Sequence, residues 1–256
     1  MSSKIKIIWI FLSLFALSLL SFKPKKPVIY IIGDSTVRNN HEIQRGWGSH
    51  LSEFLDTSKV RVDNQAMAGR STRTFIKEGR WGRVDSALKK GDYVFMQFGH
   101  NEGSVPDTSR GGYRGVLPGT GDEVKELVWP DGTVEIVYTY GRYIQKFIRD
   151  TKAKGAIPVV VSMIPRNRWK DGKVERANKD FGKWAEEVAS KEGAFFIDLN
   201  KRAADKYDNI GPEKVATYFH GDHTHTNVEG AKLNAETVAE GIKDIRKLKI
   251  RKYLKR

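Results

Sequence analysis

The chain has 256 residues, 39% of them hydrophobic, with a formal net charge of +14 and no cysteine. That length supplies a real core for an α/β domain, and the missing cysteines exclude a disulfide framework, a thiolate metal site and a cysteine nucleophile. The basic balance suits a polyanionic partner, but no nucleic-acid-binding motif accompanies it, so nucleic acid is not an expected ligand.

At the N-terminus, Lys4 and Lys6 precede an uncharged run from Ile7 to Phe22 that is apolar apart from its serines. A basic start followed by a short apolar stretch reads as an export signal, and the run is slightly short for a membrane span. Residues 1–22 are therefore expected to be a signal peptide or an N-terminal anchor, and the protein to be exported, periplasmic or extracellular. Residues 23–26 read as a linker, and residues 23–256 as one domain. Removing residues 1–22 takes away Lys4 and Lys6 and no acid, which leaves +12. The stretch from Lys243 to Arg256 carries eight basic residues and one acid, so much of the charge is a C-terminal tail, expected to be a solvated helix face or frayed end.

From there, strand-like and helix-like segments alternate. Val28–Ile32 is the first expected strand and runs into Gly33-Asp34-Ser35-Thr36. A Ser at the end of a strand presents its hydroxyl at the sheet edge, and Gly33 permits a tight approach. Taken alone, Gly-Asp-Ser reads equally as an ordinary cap. Trp47–Leu55 is an expected helix, and Val60–Asn64 the next strand, followed by Met67-Ala68-Gly69-Arg70-Ser71. Gly69 has an N–H with no side chain in its way; a plain turn glycine is the other reading. Arg83–Lys89 reads as a helix and Tyr93–Phe98 as a strand that leads directly into Gly99-His100-Asn101-Glu102. The Asn101 amide is a further donor. The Ser35 N–H, the Gly69 N–H and the Asn101 amide would make an oxyanion hole, in which one donor is worth about 3 kcal/mol of barrier.

Residues 102–133 are polar and rich in glycine, and are expected to form a long substrate-facing loop. Helices are expected over Val134–Lys154, Lys179–Lys191 and Asn227–Leu248, and strands over Ile157–Met163 and Ala194–Leu199. Alternation of this kind implies a parallel sheet with helices on both faces and ligands beyond the strand ends. Just before the last helix lies Asp222-His223-Thr224-His225. Asp222 can orient His225, and a neutral imidazole can take the Ser35 proton. His220, His223 and His225 with Asp222 would also suit zinc, but that reading leaves the Ser, Gly and Asn elements without a role. No metal or cofactor is expected.

These four segments, in this order, resemble the blocks of the SGNH (GDSL-type) hydrolases, over roughly residues 28–235. Gly33-Asp34-Ser35-Thr36, Gly46-Trp47-Gly48, Asn64-xx-Met67-Ala68-Gly69-Arg70-Ser71-xx-Thr74 and Gln97-Phe98-Gly99-His100-Asn101 are similar to rhamnogalacturonan acetylesterases in particular. The resemblance implies a three-layer α/β/α sandwich with a flavodoxin-like five-stranded parallel sheet. It also implies a Ser35-His225-Asp222 triad with the oxyanion hole already described, and hydrolysis of acetyl esters on an acidic plant polysaccharide or oligosaccharide. Where the third block commonly continues with Asp, this chain has Glu102, expected to be structural; His223 has no matching role. Arg70, Arg73, Arg110 and Arg114 are candidate contacts for galacturonate carboxylates, with solvated or ion-paired arginines as the other reading. A monomer is expected, touching a membrane only if the N-terminal segment is retained. The rival activities are an esterase for xylan, another glycan or small acyl esters, and a non-catalytic carbohydrate-binding protein.

Overall fold

In the computed structural model, which describes residues 26–255, all six residues of the first strand, Val28–Gly33 (β1), are buried. The expected signal or anchor, residues 1–22, lies outside the described residues. β1 has a parallel neighbour on each edge: Arg61–Asn64 (β2), with Ile29 opposite Val62, and Tyr93–Gln97 (β3), with Ile31 opposite Phe95. Ile157–Val161 (β6) and Phe195–Ile197 (β9) extend the same sheet in the order β2-β1-β3-β6-β9, all parallel. The five expected strands are all present, each starting and ending within a few residues of its expected bounds.

Alternation along β1 divides the core in two, since successive side chains leave opposite faces of a strand. Tyr30 and Ile32 join Val94, Met96 and Val160 on one face. There they meet the helices Thr72–Lys77 (α1), Arg80–Ala87 (α2), Tyr140–Ala153 (α3) and Phe181–Lys191 (α4). Ile29 and Ile31 face the other way with Phe95, Val159 and Val161, against Trp47, Leu51, Leu199–Ile210 (α5) and Val228–Asp244 (α7). The short helix Pro212–Ala216 (α6) stands beside α5. Trp47–Leu55, expected as one helix, is two consecutive 3-10 turns.

The largest departure from expectation lies in the segment between β3 and α3. Residues 134–138, expected to open a long helix, form a strand (β5, Val134–Tyr138). β5 pairs antiparallel with Val124–Val128 (β4), inside what was expected to be a loop. Val-Glu-Ile-Val-Tyr is rich in β-branched residues, and Pro130-Asp131-Gly132 makes the turn, with Gly132 at φ 80°. The helix begins only after Thr139, whose side chain accepts from the Arg142 N–H. A second small pair, Trp169–Lys170 (β7) and Lys173–Val174 (β8), follows β6. The basic C-terminus is packed: Leu248 and Ile250 are buried, and the backbone beside Leu254 bonds residues 54–56.

One ion pair fastens the hairpin to α1. Arg73, in α1, donates from Nε and Nη2 to the two oxygens of Glu135, at 2.7 and 2.9 Å. Its Nη1 donates to the Gly112 and Gly115 carbonyls, and Lys77 and the Trp129 indole also donate to Glu135. Burial alone would raise the Glu135 carboxyl, but the bonds from Arg73 and Lys77 outweigh it and hold it at about 2. A carboxylate depressed from its ordinary 4.5 contributes stability that is complete above that pH and lost as pH falls toward 2. Glu135→Gln should therefore cost about 3 kcal/mol at pH 7. In thermal melts the gap to wild type should close between pH 4.5 and 2; a gap that ignores pH would show that the ion pair is not what holds the hairpin.

Candidate active site

Ser35 follows β1 at a turn that only glycine can open: a Cβ on Gly33 would sit 2.5 Å from the Gln97 carbonyl oxygen and from Val37 Cγ2. The turn is braced from beneath. Asp34 Oδ1 accepts from the Thr36 N–H at 2.8 Å and the Thr36 hydroxyl at 2.7 Å, Gln97 Nε2 donates to Thr36 Oγ1, and Trp47 Nε1 donates to Gln97 Oε1. Asp34 thus does cap the backbone, and Ser35 is left facing the sheet edge.

The loop before α7 brings His225 to it. His225 Nε2 lies 2.8 Å from Ser35 Oγ, and His225 Nδ1 lies 2.6 Å from Asp222 Oδ2. Asp222 Oδ1 accepts from the Thr224 and His225 N–H groups, at 2.6 and 2.7 Å. Partial burial raises the Asp222 carboxyl, but the bond from the His225 ring and these N–H groups outweigh it and hold it at about 2. An ionised Asp222 accepts the Nδ1 proton, which leaves the Nε2 lone pair for the serine hydroxyl. The loop itself is pinned by the Arg45 N–H to the Thr226 carbonyl at 2.7 Å, and by Asn227, which caps α7 through the Gly230 N–H.

Gly69 has φ +77°, a left-handed conformation that a side chain would strain. Among the described residues neither its N–H nor that of Ser35 has a protein acceptor. Asn101 Nδ2 donates to the Arg70 carbonyl at 3.2 Å, and Arg114 Nη1 donates to Asn101 Oδ1 at 2.9 Å. The guanidinium can only donate, so it fixes which end of the amide is nitrogen; the second Asn101 N–H remains for a ligand.

The expected arginine contacts divide. Arg70, Arg110 and Arg114 line a cavity of about 650 Å³ beside Gly69, with Tyr113 and Thr74. Arg70 also holds Glu78, and Arg114 orients Asn101. Arg73 does not face a substrate: it is 1% exposed and spent on Glu135 and two carbonyls. Its expected role as a carboxylate contact is corrected to that of a structural ion pair, because α1 turns it inward beneath the hairpin.

Glu102 is fully buried between the loops after β2 and β3, with Oε1 accepting from the Thr72 N–H and Oε2 from the Asn101 N–H. Burial and the Asp34 charge push it up to about 8, so it keeps its proton at neutral pH. His100 is pushed well below its ordinary range, first by burial and then by the Arg166 charge, and is neutral. Two histidines of the histidine-rich stretch bond protein partners through their rings: His225 as above, and His223 Nε2 with Arg168 and Arg166. Arg166 and Arg168 are the residues that the sequence motifs missed. Their signal was available, since Pro165-Arg166-Asn167-Arg168 comes shortly after the buried strand β6, on the same side as the other polar blocks.

A layered α/β/α sheet with a serine, imidazole and carboxylate in hydrogen-bonded series at its C-terminal edge defines a serine hydrolase. The chain belongs to the GDSL-like Lipase/Acylhydrolase family, whose model matches residues 31–233. It is 34% identical over 229 residues to the rhamnogalacturonan acetylesterase of Emericella nidulans, covering 89% of this chain and 90% of that protein. It is 30% identical to the probable rhamnogalacturonan acetylesterase YesY of Bacillus subtilis, covering 85% and 93%. Among solved structures, protein YxiM of Bacillus subtilis superposes with a TM-score of 0.68 at 25% identity; the match covers 86% of this chain but only 56% of YxiM. The acetylxylan esterase Axe2 of Geobacillus stearothermophilus shares the fold, with a TM-score of 0.56, 17% identity and 86% and 96% coverage.

Replacing Glu102 by Ala would strand the Thr72 and Asn101 N–H groups, each at about 1–3 kcal/mol. Glu102→Ala should melt earlier and turn over ester more slowly, because Asn101 loses its anchor. Wild-type melting and rate together would remove Glu102 from this role.

Proposed function

We propose that this chain is an exported carbohydrate esterase that removes acetyl groups from pectic rhamnogalacturonan. The observation that carries the reading is the unbroken series Ser35–His225–Asp222, at 2.8 and 2.6 Å, in a chain 34% identical to a named rhamnogalacturonan acetylesterase along nearly its whole length. Arg110 and Arg114, in the cavity beside Gly69, supply positive charge where an acidic polysaccharide would lie. Lys4, Lys6 and the apolar run that follows support export.

Ser35 Oγ attacks the acetyl carbonyl carbon while its proton passes to His225 Nε2. Asp222, ionised, stabilises the imidazolium. The carbonyl oxygen becomes an oxyanion and accepts from the Ser35 and Gly69 N–H groups and the Asn101 amide. Collapse expels the sugar oxygen, which takes the proton from His225 and leaves an acetyl-serine. Water then gives a proton to His225 and attacks the acetyl carbon, acetate departs, and the proton returns to Ser35. The protonated Glu102 keeps a second negative charge away from beneath the oxyanion.

Acetate release from acetylated rhamnogalacturonan and acetylated xylan, by wild type, Ser35→Ala and Asp222→Asn, tests this. Wild type should act on rhamnogalacturonan, Ser35→Ala should be inactive, and Asp222→Asn should lose on the order of 10⁴ in kcat. Release from xylan alone would overturn the pectic substrate, and equal release by Ser35→Ala would overturn the mechanism.

A further inference from the structure

Arg166 and Arg168 follow β6, at the same sheet edge as Ser35. Arg166 is half-buried: its Nη1 donates to Thr224 Oγ1 and lies 3.4 Å from His223 Nε2, and its Nη2 lies 3.4 Å from the His100 carbonyl oxygen. Arg168 is exposed, and its Nη2 donates to the same His223 Nε2 at 2.8 Å. Two guanidiniums therefore converge on one ring nitrogen. Since a guanidinium only donates, Nε2 accepts, and the His223 proton sits on Nδ1.

Among the described residues this cluster has no anion of its own. Arg70, Arg73, Arg149 and Arg176 each hold a carboxylate. Among the described residues Arg166 and Arg168 hold none. The acids whose charge reaches Arg166 are Asp34 and Asp222, and these bond Thr36 and His225. Two like charges brought together in this way repel each other, and a bound anion relieves the repulsion. His223 is two residues from His225, at most about 7 Å of chain. An anion held there lies beside the group that reaches Ser35. Strand order puts Gly69 and Arg70, which follow β2, on the other side of β1 and β3.

We propose that Arg166, Arg168 and His223 form a carboxylate-binding subsite for a uronic acid unit neighbouring the acetylated sugar. His223 Nε2 holds the Arg168 guanidinium beside that of Arg166, and the two guanidiniums donate to the carboxylate oxygens. The subsite rests on the acidic-polysaccharide reading above and specifies which face of the site the acid groups occupy.

The test is calorimetric titration of trigalacturonate and of neutral xylotriose into the full-length wild-type protein, Arg168→Gln, Arg168→Lys and Arg166→Lys. Trigalacturonate should bind wild type more tightly than xylotriose does. Arg168→Gln should weaken trigalacturonate at least about tenfold, the loss expected for one charge-assisted hydrogen bond, and Arg168→Lys should recover part of it. Arg166→Lys should also weaken it, since one point charge replaces a fork. An unchanged Kd in Arg168→Gln, or an equal loss for xylotriose, would overturn the subsite. No arm uses an acetyl ester, so a wild type that binds trigalacturonate through Arg168 but releases no acetate from rhamnogalacturonan would sink the proposed function and leave the subsite standing.

Discussion

The constraint on which everything else rests is the burial of β1. Every residue from Val28 to Gly33 is enclosed, with a parallel strand on each edge and a layer of helices on each face. Parallel neighbours need crossovers, so all five strands end at the same edge. Ser35, Gly69, Asn101 and Arg166 follow β1, β2, β3 and β6, and each is delivered to that edge by its strand. His225 comes from the loop ahead of α7, 190 positions from Ser35, and meets it at 2.8 Å. Helix α7 packs on the β1 core through Ala235, Val238 and Ile242, so ordinary apolar burial holds the chemical contact.

Charge at this edge is sorted by solvation. Asp222 stays partly in water and accepts three hydrogen bonds, so it is ionised across the working range. Asp34 and Glu102 are buried near each other: burial raises both, bonds from Thr36 and the His100 N–H oppose the rise at Asp34, and the Asp34 charge raises Glu102 further. The ionised Asp222 thereby lies behind His225, where it would stabilise an imidazolium. Glu102, at the base of the loops after β2 and β3, keeps its proton at neutral pH. Glu102 also ties the loop after β2 to the loop after β3, which keeps Gly69 and Asn101 in one arrangement.

The arginines show the same sorting. Arg73 is wholly enclosed and joins α1 to the β4–β5 hairpin, Arg114 sets the orientation of Asn101, and Arg166 braces the His225 loop through Thr224. Composition assigns all of them one label, positive. Their functions differ because each sits at a different distance from carboxylates and carbonyls that are remote in the chain. The C-terminal tail repeats the lesson: a run that is strongly basic by count hides Leu248 and Ile250 in the core and displays its lysines around them.

What the sequence determined by itself was local and periodic. Short β-branched runs specify five strands, and the polar blocks that follow them specify where the chemistry lies, because burial on both faces leaves a parallel strand no other composition. Ser35, Gly69 and Asn101 were legible as candidates for that reason, and Asp222 and His225 from their spacing just before the last helix. The β4–β5 hairpin was not, because the apolar positions in residues 134–138 satisfy a helical reading as well as a strand, and the pairing with residues 124–128 decides between them. Glu102's depth, Arg73's partner and the convergence of Arg166 and Arg168 on His223 were also settled only in three dimensions. Each depends on contacts between residues tens of positions apart, and no local pattern encodes the distance between two charges that folding brings together.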